Sequence, residues 1–162
     1  MIQNEYQITR KLFISWGLEN ALKGSQLVFS IIYFVLALLM LLLEGASDSS
    51  LIINILVVFC IYRAFLRWYV VSNGQYNRLA KNHNGADWTR VISFGENEIV
   101  IDEGAFSFKY QYMDIINIKE KGNKVWLTAR NKTVIRLYKD CFKNGTWESC
   151  KAHVEKRALN KA

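Results

Sequence analysis

Cys150 and His153 stand three positions apart, on one face of any helix that carries them, which is the spacing of a two-residue metal-ligand pair. A zinc centre needs further ligands, and no nearby spacing supplies them. The competing reading is a histidine on an exposed helical surface. Cys141 with His153 offers a nucleophile and a base, but nothing in the sequence orients that base, and a structural thiol is the simpler reading. The carboxylates Glu96, Glu98, Asp102, Glu103, Asp114 and Glu120 are scattered over turn-forming stretches, where turn chemistry accounts for them. Asp114 follows an aromatic run and reads as the cap of a short turn. No glycine-rich phosphate loop or dinucleotide fingerprint occurs. Cys60, Cys141 and Cys150 are too few and too scattered for a disulfide framework. The residues therefore nominate no catalytic group, no metal ligand and no cofactor, and a hidden hydrolase has neither triad nor metal set.

The elements that would position any site fall into an oily block and a polar block. The chain has 162 residues and a net charge of +7, yet Gln26 to Leu66 holds only Glu44, Asp48 and Arg63. Leu27 to Leu43 is seventeen residues without a charge. As a helix it spans roughly 26 Å at about 1.5 Å per residue, close to a bilayer core of about 30 Å. A second apolar run begins at Leu51 and reaches about Val71, interrupted only by Asn54 before Arg63 and Arg67. Arginines near a helix end snorkel to headgroups, and Trp and Tyr prefer the interface. Arg63, Arg67, Trp68 and Tyr69, with Trp16 upstream, are thus the expected membrane-interface residues. A buried helical hairpin in a soluble protein is the competing reading, but core helices are rarely apolar all round for so long. The connection Glu44 to Ser50 carries no base, whereas the outer flanks carry Arg10, Lys11, Lys23, Arg78 and Lys81. Positive residues stay inside. Two spans in a plasma membrane with both termini cytoplasmic are expected, and Asn54 is a candidate hydrogen-bonding residue across the hairpin or towards a second copy.

Residues 1–25 read as an N-terminal strand, Tyr6 to Thr9, and a helix capped by Thr9 that either lies at the interface or extends the first span. Residues 26–71 form the transmembrane hairpin (about 27–43 and 51–71), 72–86 a polar linker, and 87–162 a cytoplasmic domain. In that domain, period-2 runs at Trp88–Phe94, Glu98–Asp102, Ala105–Gln111, Ile115–Lys121, Lys124–Ala129 and Thr133–Tyr138 predict six strands of an antiparallel meander or partial barrel. Tyr6–Thr9 is placed as an added edge strand. Thr146 caps a final helix whose stripe of Trp147, Cys150, Val154 and Ala158 covers the oily face. The fold class is α+β.

A strand meander closed by one helix resembles pleckstrin-homology-like domains. The whole layout resembles the YcxB-like family of bacterial membrane proteins, on the EIVI strand at Glu98, on FKYQYMDI at Phe108, and on VIRLYKDCFKNGTWESCKAHV, where a Phe142-x-x-Gly145 turn opens the helix. That resemblance implies a cytoplasmic-membrane location and no established enzymatic activity.

From Gly85 onward 14 Lys and Arg face 10 Asp and Glu. Lys119, Lys121, Lys124, Arg130, Lys132 and Arg136 cluster in neighbouring strands and turns, a candidate patch for anionic headgroups or a protein partner; a solvated face is the bland alternative. The expected function is a non-enzymatic, membrane-anchored interaction module. The partners expected are the bilayer, an unidentified protein and a second copy through the hairpin. Nucleic acid is the weaker candidate, since no reading motif is present. The rival reading is an immunity or stress-response protein that protects against a membrane-active toxin or bacteriocin.

Overall fold

The computed structural model describes residues 1–44 and 51–159. The chain divides into two compact units, Met1–Ile8 with Ala86–Ala162, and Thr9–Gly85. In chain order the elements are β1 (Ile2–Ile8), α1 (Arg10–Ala21), α2 (Gly24–Glu44), α3 (Leu51–Ile61), α4 (Arg67–Lys81), β2 (Trp88–Phe94), β3 (Glu98–Asp102), β4 (Ser107–Gln111), β5 (Ile115–Lys121), β6 (Lys124–Ala129), β7 (Val134–Tyr138), β8 (Phe142–Asn144) and α5 (Trp147–Leu159).

The first unit is built on two antiparallel sheets, ordered β4-β3-β2-β1-β8 and β5-β6-β7. The single meander expected from the periodicity is therefore divided. A 3-10 turn at Tyr112–Asp114 and a register shift between Ile115 and Asn117 end one sheet and start the next. β1 is not an edge strand: it pairs with β2 along all seven residues and with β8 on its other side. Its alternate residues Asn4, Tyr6 and Ile8 are buried. Asn4 extends the pairing beyond the sheet, donating through Nδ2 to Tyr138 O at 2.6 Å and accepting from Tyr138 N at 3.4 Å. Tyr6 Oη donates to Arg136 O at 2.9 Å. Side chains of β1 thus bond the backbone of β7 and tie the two sheets. Burial of Ile92, Phe94 and Ile99 in one sheet, and of Val125, Leu127, Ile135 and Leu137 in the other, follows the predicted period of two.

α5 lays Trp147, Cys150 and Val154 into the interior, as its stripe predicts. Its start is reciprocally capped: Ser149 N donates to Thr146 Oγ1 at 3.3 Å, and Thr146 N donates to Ser149 Oγ at 3.0 Å.

The second unit is helical. Thr9 caps α1 by accepting from Leu12 N at 3.2 Å. α1 ends at Ala21, and Gly24 at φ +55° breaks the path before α2, so α1 is a separate helix and not an extension of the first span. Residues 72–81, read from sequence as linker, continue the helix as α4. Ser72, Tyr76 and Ala80 recur at i, i+4 and i+8 and are buried. They face α1, where Phe13 meets Tyr76 edge-to-face at 6.0 Å and Arg10 Nη2 donates to Asn77 Oδ1 at 2.7 Å. That packing outweighs the poor helix propensity of Asn73 and Gly74. At the closest point Gly17 meets Ser72, where any Cβ would collide.

Two helices, Gly24–Leu42 and Leu51–Lys81, are long and apolar enough to cross a membrane, with mean hydropathies of 2.4 and 1.8. Only 6% and 17% of their apolar windows is buried. The acidic connection at 45–50 lies outside the described residues.

Asn4→Ala removes both bonds to Tyr138 and should destabilise the sheet unit by about 1–3 kcal/mol. The check is chemical denaturation followed by tryptophan fluorescence. A shift in midpoint no larger than that of the exposed control Gln7→Ala would show that Asn4 does not tie the sheets.

Candidate functional site

The structure brings four of the six predicted basic residues onto one face of the β5-β6-β7 sheet. Cross-strand register places Lys119 opposite Trp126 and Trp126 opposite Arg136, with Lys121 opposite Lys124 one pair further on. Val125, Leu127, Ala129, Ile135 and Leu137, on the opposite face, are buried. The register adds Asn117, Thr128, Val134 and Tyr138 to the basic face and no carboxylate. Arg130 and Lys132 lie instead in the β6–β7 turn, Lys132 at φ +66°. Trp126, at the centre of the face, was not singled out from sequence; its place between Lys119 and Arg136 depends on register.

Several other charges of this unit are paired within the fold. Glu103, buried, pairs with Arg90 and accepts from Trp88 Nε1 at 3.3 Å. Glu120 holds Lys139 at 2.7 Å and Lys151 at 2.9 Å, joining β5 to the turn after β7 and to α5. His153 is half-buried, not on an exposed surface: Nε2 lies 2.9 Å from Gly95 O and 3.0 Å from Tyr112 Oη, and Arg157 Nη1 lies 3.0 Å from Nδ1. Cys150 is fully buried, and burial pushes its thiol up to about 12. Cys141 donates to Asp140 at 3.4 Å, and partial burial with that carboxylate pushes its thiol up to about 11. Both thiols are thus protonated at neutral pH, the opposite of what a nucleophile or ligand needs. Among the described residues no three His, Cys, Asp or Glu side chains come together as a metal site.

The helical unit holds a second basic site. Between α3 and α4 the helix widens into a π turn at Tyr62–Leu66. Arg63 and Arg67, one turn apart, line a cavity of about 280 Å³ with Gln26, Ser30 and Asn20, and also a smaller one of about 180 Å³ that shares Gln26 and Ser30. Arg63 lies over the Tyr33 ring at 4.9 Å and donates to its hydroxyl at 3.3 Å. Its Nε is buried and has no hydrogen-bond partner among the described residues. Of the other predicted interface residues, Trp68 lines an adjoining apolar groove and Tyr69 is exposed. Trp16 is 6% exposed and stands 5.8 Å from Phe13 in the α1–α4 packing, so it is a core residue of this unit. Asn54 is exposed on α3. Ser30 and Tyr33 are the only polar side chains in Leu27 to Leu43 and stand three residues apart, which was the sequence signal for a polar spot on that helix.

No family model, curated protein or solved structure matches the chain.

The two lysines hold the Glu120 carboxyl at about 2, below its ordinary 4.5, Lys139 contributing first and Lys151 second. A depressed carboxylate stabilises the fold above its unfolded pKa and loses that contribution as pH falls. Stability should therefore decline from about pH 4.5 towards pH 2, and Glu120→Gln should flatten that segment of the curve. The pair is partly exposed, so the difference should shrink in 1 M salt, where the screening length is about 3 Å. Thermal midpoints across pH, at low and high salt, check both.

Proposed function

We propose that the chain is a membrane-anchored, non-enzymatic binding module of the plasma membrane. Its sheet unit presents a carboxylate-free basic face to an anionic partner, either headgroups or an acidic protein segment. The observation that carries the binding role is the in-register set Lys119, Lys121, Lys124 and Arg136 around Trp126. Each base held near an anionic leaflet contributes about 1 kcal/mol. Four on one face amount to a few kcal/mol, enough to bias a tethered domain.

Support for the anchor comes from exposure. α2 and α3 display Leu, Ile, Val and Phe on nearly every side, including Phe29, Ile32, Val35, Leu39, Ile55 and Phe59. A core helix would bury such residues, and water does not tolerate so large a contiguous apolar surface. Support for a hairpin returning to its starting side comes from connectivity. β1 precedes the apolar helices and β2 follows them, yet the two are neighbours in one sheet. A single sheet cannot be assembled from strands on opposite sides of a bilayer, which supports an even number of crossings. The basic flanks favour the cytoplasm for that side. From Leu51, Arg63 and Arg67 lie roughly 18 and 24 Å along the helix, in the inner half of a bilayer core of about 30 Å. The strand-then-helix layout and the motifs at Glu98, Phe108 and Val134 support a YcxB-like, pleckstrin-homology-like reading of the sheet unit.

A photo-reactive aromatic amino acid placed at Trp126 in the full chain, in native membranes, should crosslink to anionic lipid or to an acidic protein. Lys119→Glu/Lys121→Glu/Lys124→Glu should remove most of those adducts. Adducts unchanged by the triple reversal would show that the basic face is only solvated.

A further inference from the structure

The cavity at Arg63 and Arg67 adjoins an apolar one, with which it shares wall residues. The groove lined by Leu22, Leu27, Ile31, Phe34 and Phe65 has a volume of about 430 Å³, and it shares Ala21, Ser30, Ala64 and Trp68 with the arginine cavity. Both lie within the helical unit, between α1, α2 and the α3–α4 helix. One end is cationic and rich in hydrogen-bond donors; the other is lined almost wholly by hydrocarbon. That is the polarity of a single phospholipid, and the groove falls within the usual size of ligand sites.

We infer that this two-part cavity binds one anionic phospholipid, its phosphate held by Arg63 and Arg67 and one acyl chain laid in the groove beside Phe34, Phe65 and Trp68. This rests on the membrane placement proposed above, and it concerns a different surface from the basic sheet face.

Four observations carry it. Arg63 and Arg67 have no carboxylate partner among the described residues, unlike Arg90, which is paired with Glu103. Two like charges at adjacent turns repel unless an anion lies between them. Arg63 is also held in place: the Tyr33 ring and hydroxyl keep its guanidinium at the cavity wall, and its Nε is a buried donor with an unmet bond. An arginine that simply snorkels reaches away from its helix into solvent; this one is anchored within a cavity. Finally, the π turn at Tyr62–Leu66 is a feature that recurs at functional sites, and it sits where the two cavities meet, at Ala64. Guanidinium groups suit phosphate because their donors fork to match its oxygens. Ser30, Gln26 and Asn20 add neutral hydrogen-bonding groups beside them.

The full chain, incorporated into nanodiscs of phosphatidylcholine with about one-fifth phosphatidylglycerol, is released and weighed by native mass spectrometry. One phosphatidylglycerol per chain should be retained in preference to phosphatidylcholine. Arg63→Gln/Arg67→Gln should lower that retention at least tenfold while flotation with liposomes and circular dichroism stay as in the wild type. Leu27→Trp, which fills the apolar end and leaves both arginines, should also lower it. Wild-type and double-variant chains that retain lipid equally would overturn the site. So would displacement of the lipid by millimolar glycerol phosphate, which would indicate a phosphate site without a lipid tail. Loss of flotation by the wild-type chain would instead refute the membrane placement, which keeps the two failures distinct.

Discussion

The fold depends on the pairing of β1 with β2. Seven residues at the start of the chain form a continuous antiparallel ladder with a strand that follows the entire helical unit, and a three-residue strand, β8, flanks them on the other side. The cost of closing so long an excursion grows only logarithmically, about 0.6 kcal/mol per doubling of length. A ladder with fully buried Asn4 and Ile8 overcomes it. Because Asn4 and Tyr6 also bond the backbone of β7, one strand organises both sheets. The residues from Ala86 onward are thus an incomplete domain without β1.

Arginine serves three ends in this molecule, and the neighbours decide which. Arg90 lies among Glu103, Tyr6 and Trp88, where an acidic partner and an aromatic ring close its hydrogen-bonding capacity. Arg136 stands in an acid-free sheet face with Trp126 as its cross-strand neighbour. Arg63 and Arg67 stand at a cavity beside aliphatic and aromatic side chains, with the Tyr33 hydroxyl as an acceptor for Arg63. The first is architecture, the second belongs to a surface of like charge, and the third is a pair of cations that no carboxylate among the described residues meets.

Much of this was readable from the residues. Strict alternation bounded by Gly95, Gly104 and Gly122 gave the limits of β2, β3, β5 and β6, and Thr9 and Thr146 marked their helix starts, because these are local effects of side-chain period and capping. Non-local choices were not readable. Nothing in Ile2–Ile8 says which strands flank it, and a three-residue strand such as β8 has no period to detect. The break between the sheets is a change of partner, not of pattern. Residues 72–81 look like linker by composition, yet the Ser72, Tyr76, Ala80 stripe was present and is what packing selected. Trp16 shows the limit of residue type alone: a tryptophan near an apolar span reads as an interface anchor, and α1–α4 packing buried it instead. For the basic patch, the predicted strand limits already left Arg130 and Lys132 in a turn, and only register could show that the other four share a face across three strands.

The placement of β1 also has a meaning in time. A ribosome completes Ile8 eighty residues before it completes Trp88. At about 5–20 residues per second, that leaves β1 without its partner for roughly 4–16 s. During that interval the apolar helices are made and must find their own environment. A strand left waiting is an aggregation hazard unless its sequence is tempered. Gln3, Asn4, Glu5 and Gln7 make more than half of β1 polar, although three of its residues end up fully or nearly buried. The buried asparagine that later ties the sheets is, while the chain is being made, one of the residues that keeps it soluble.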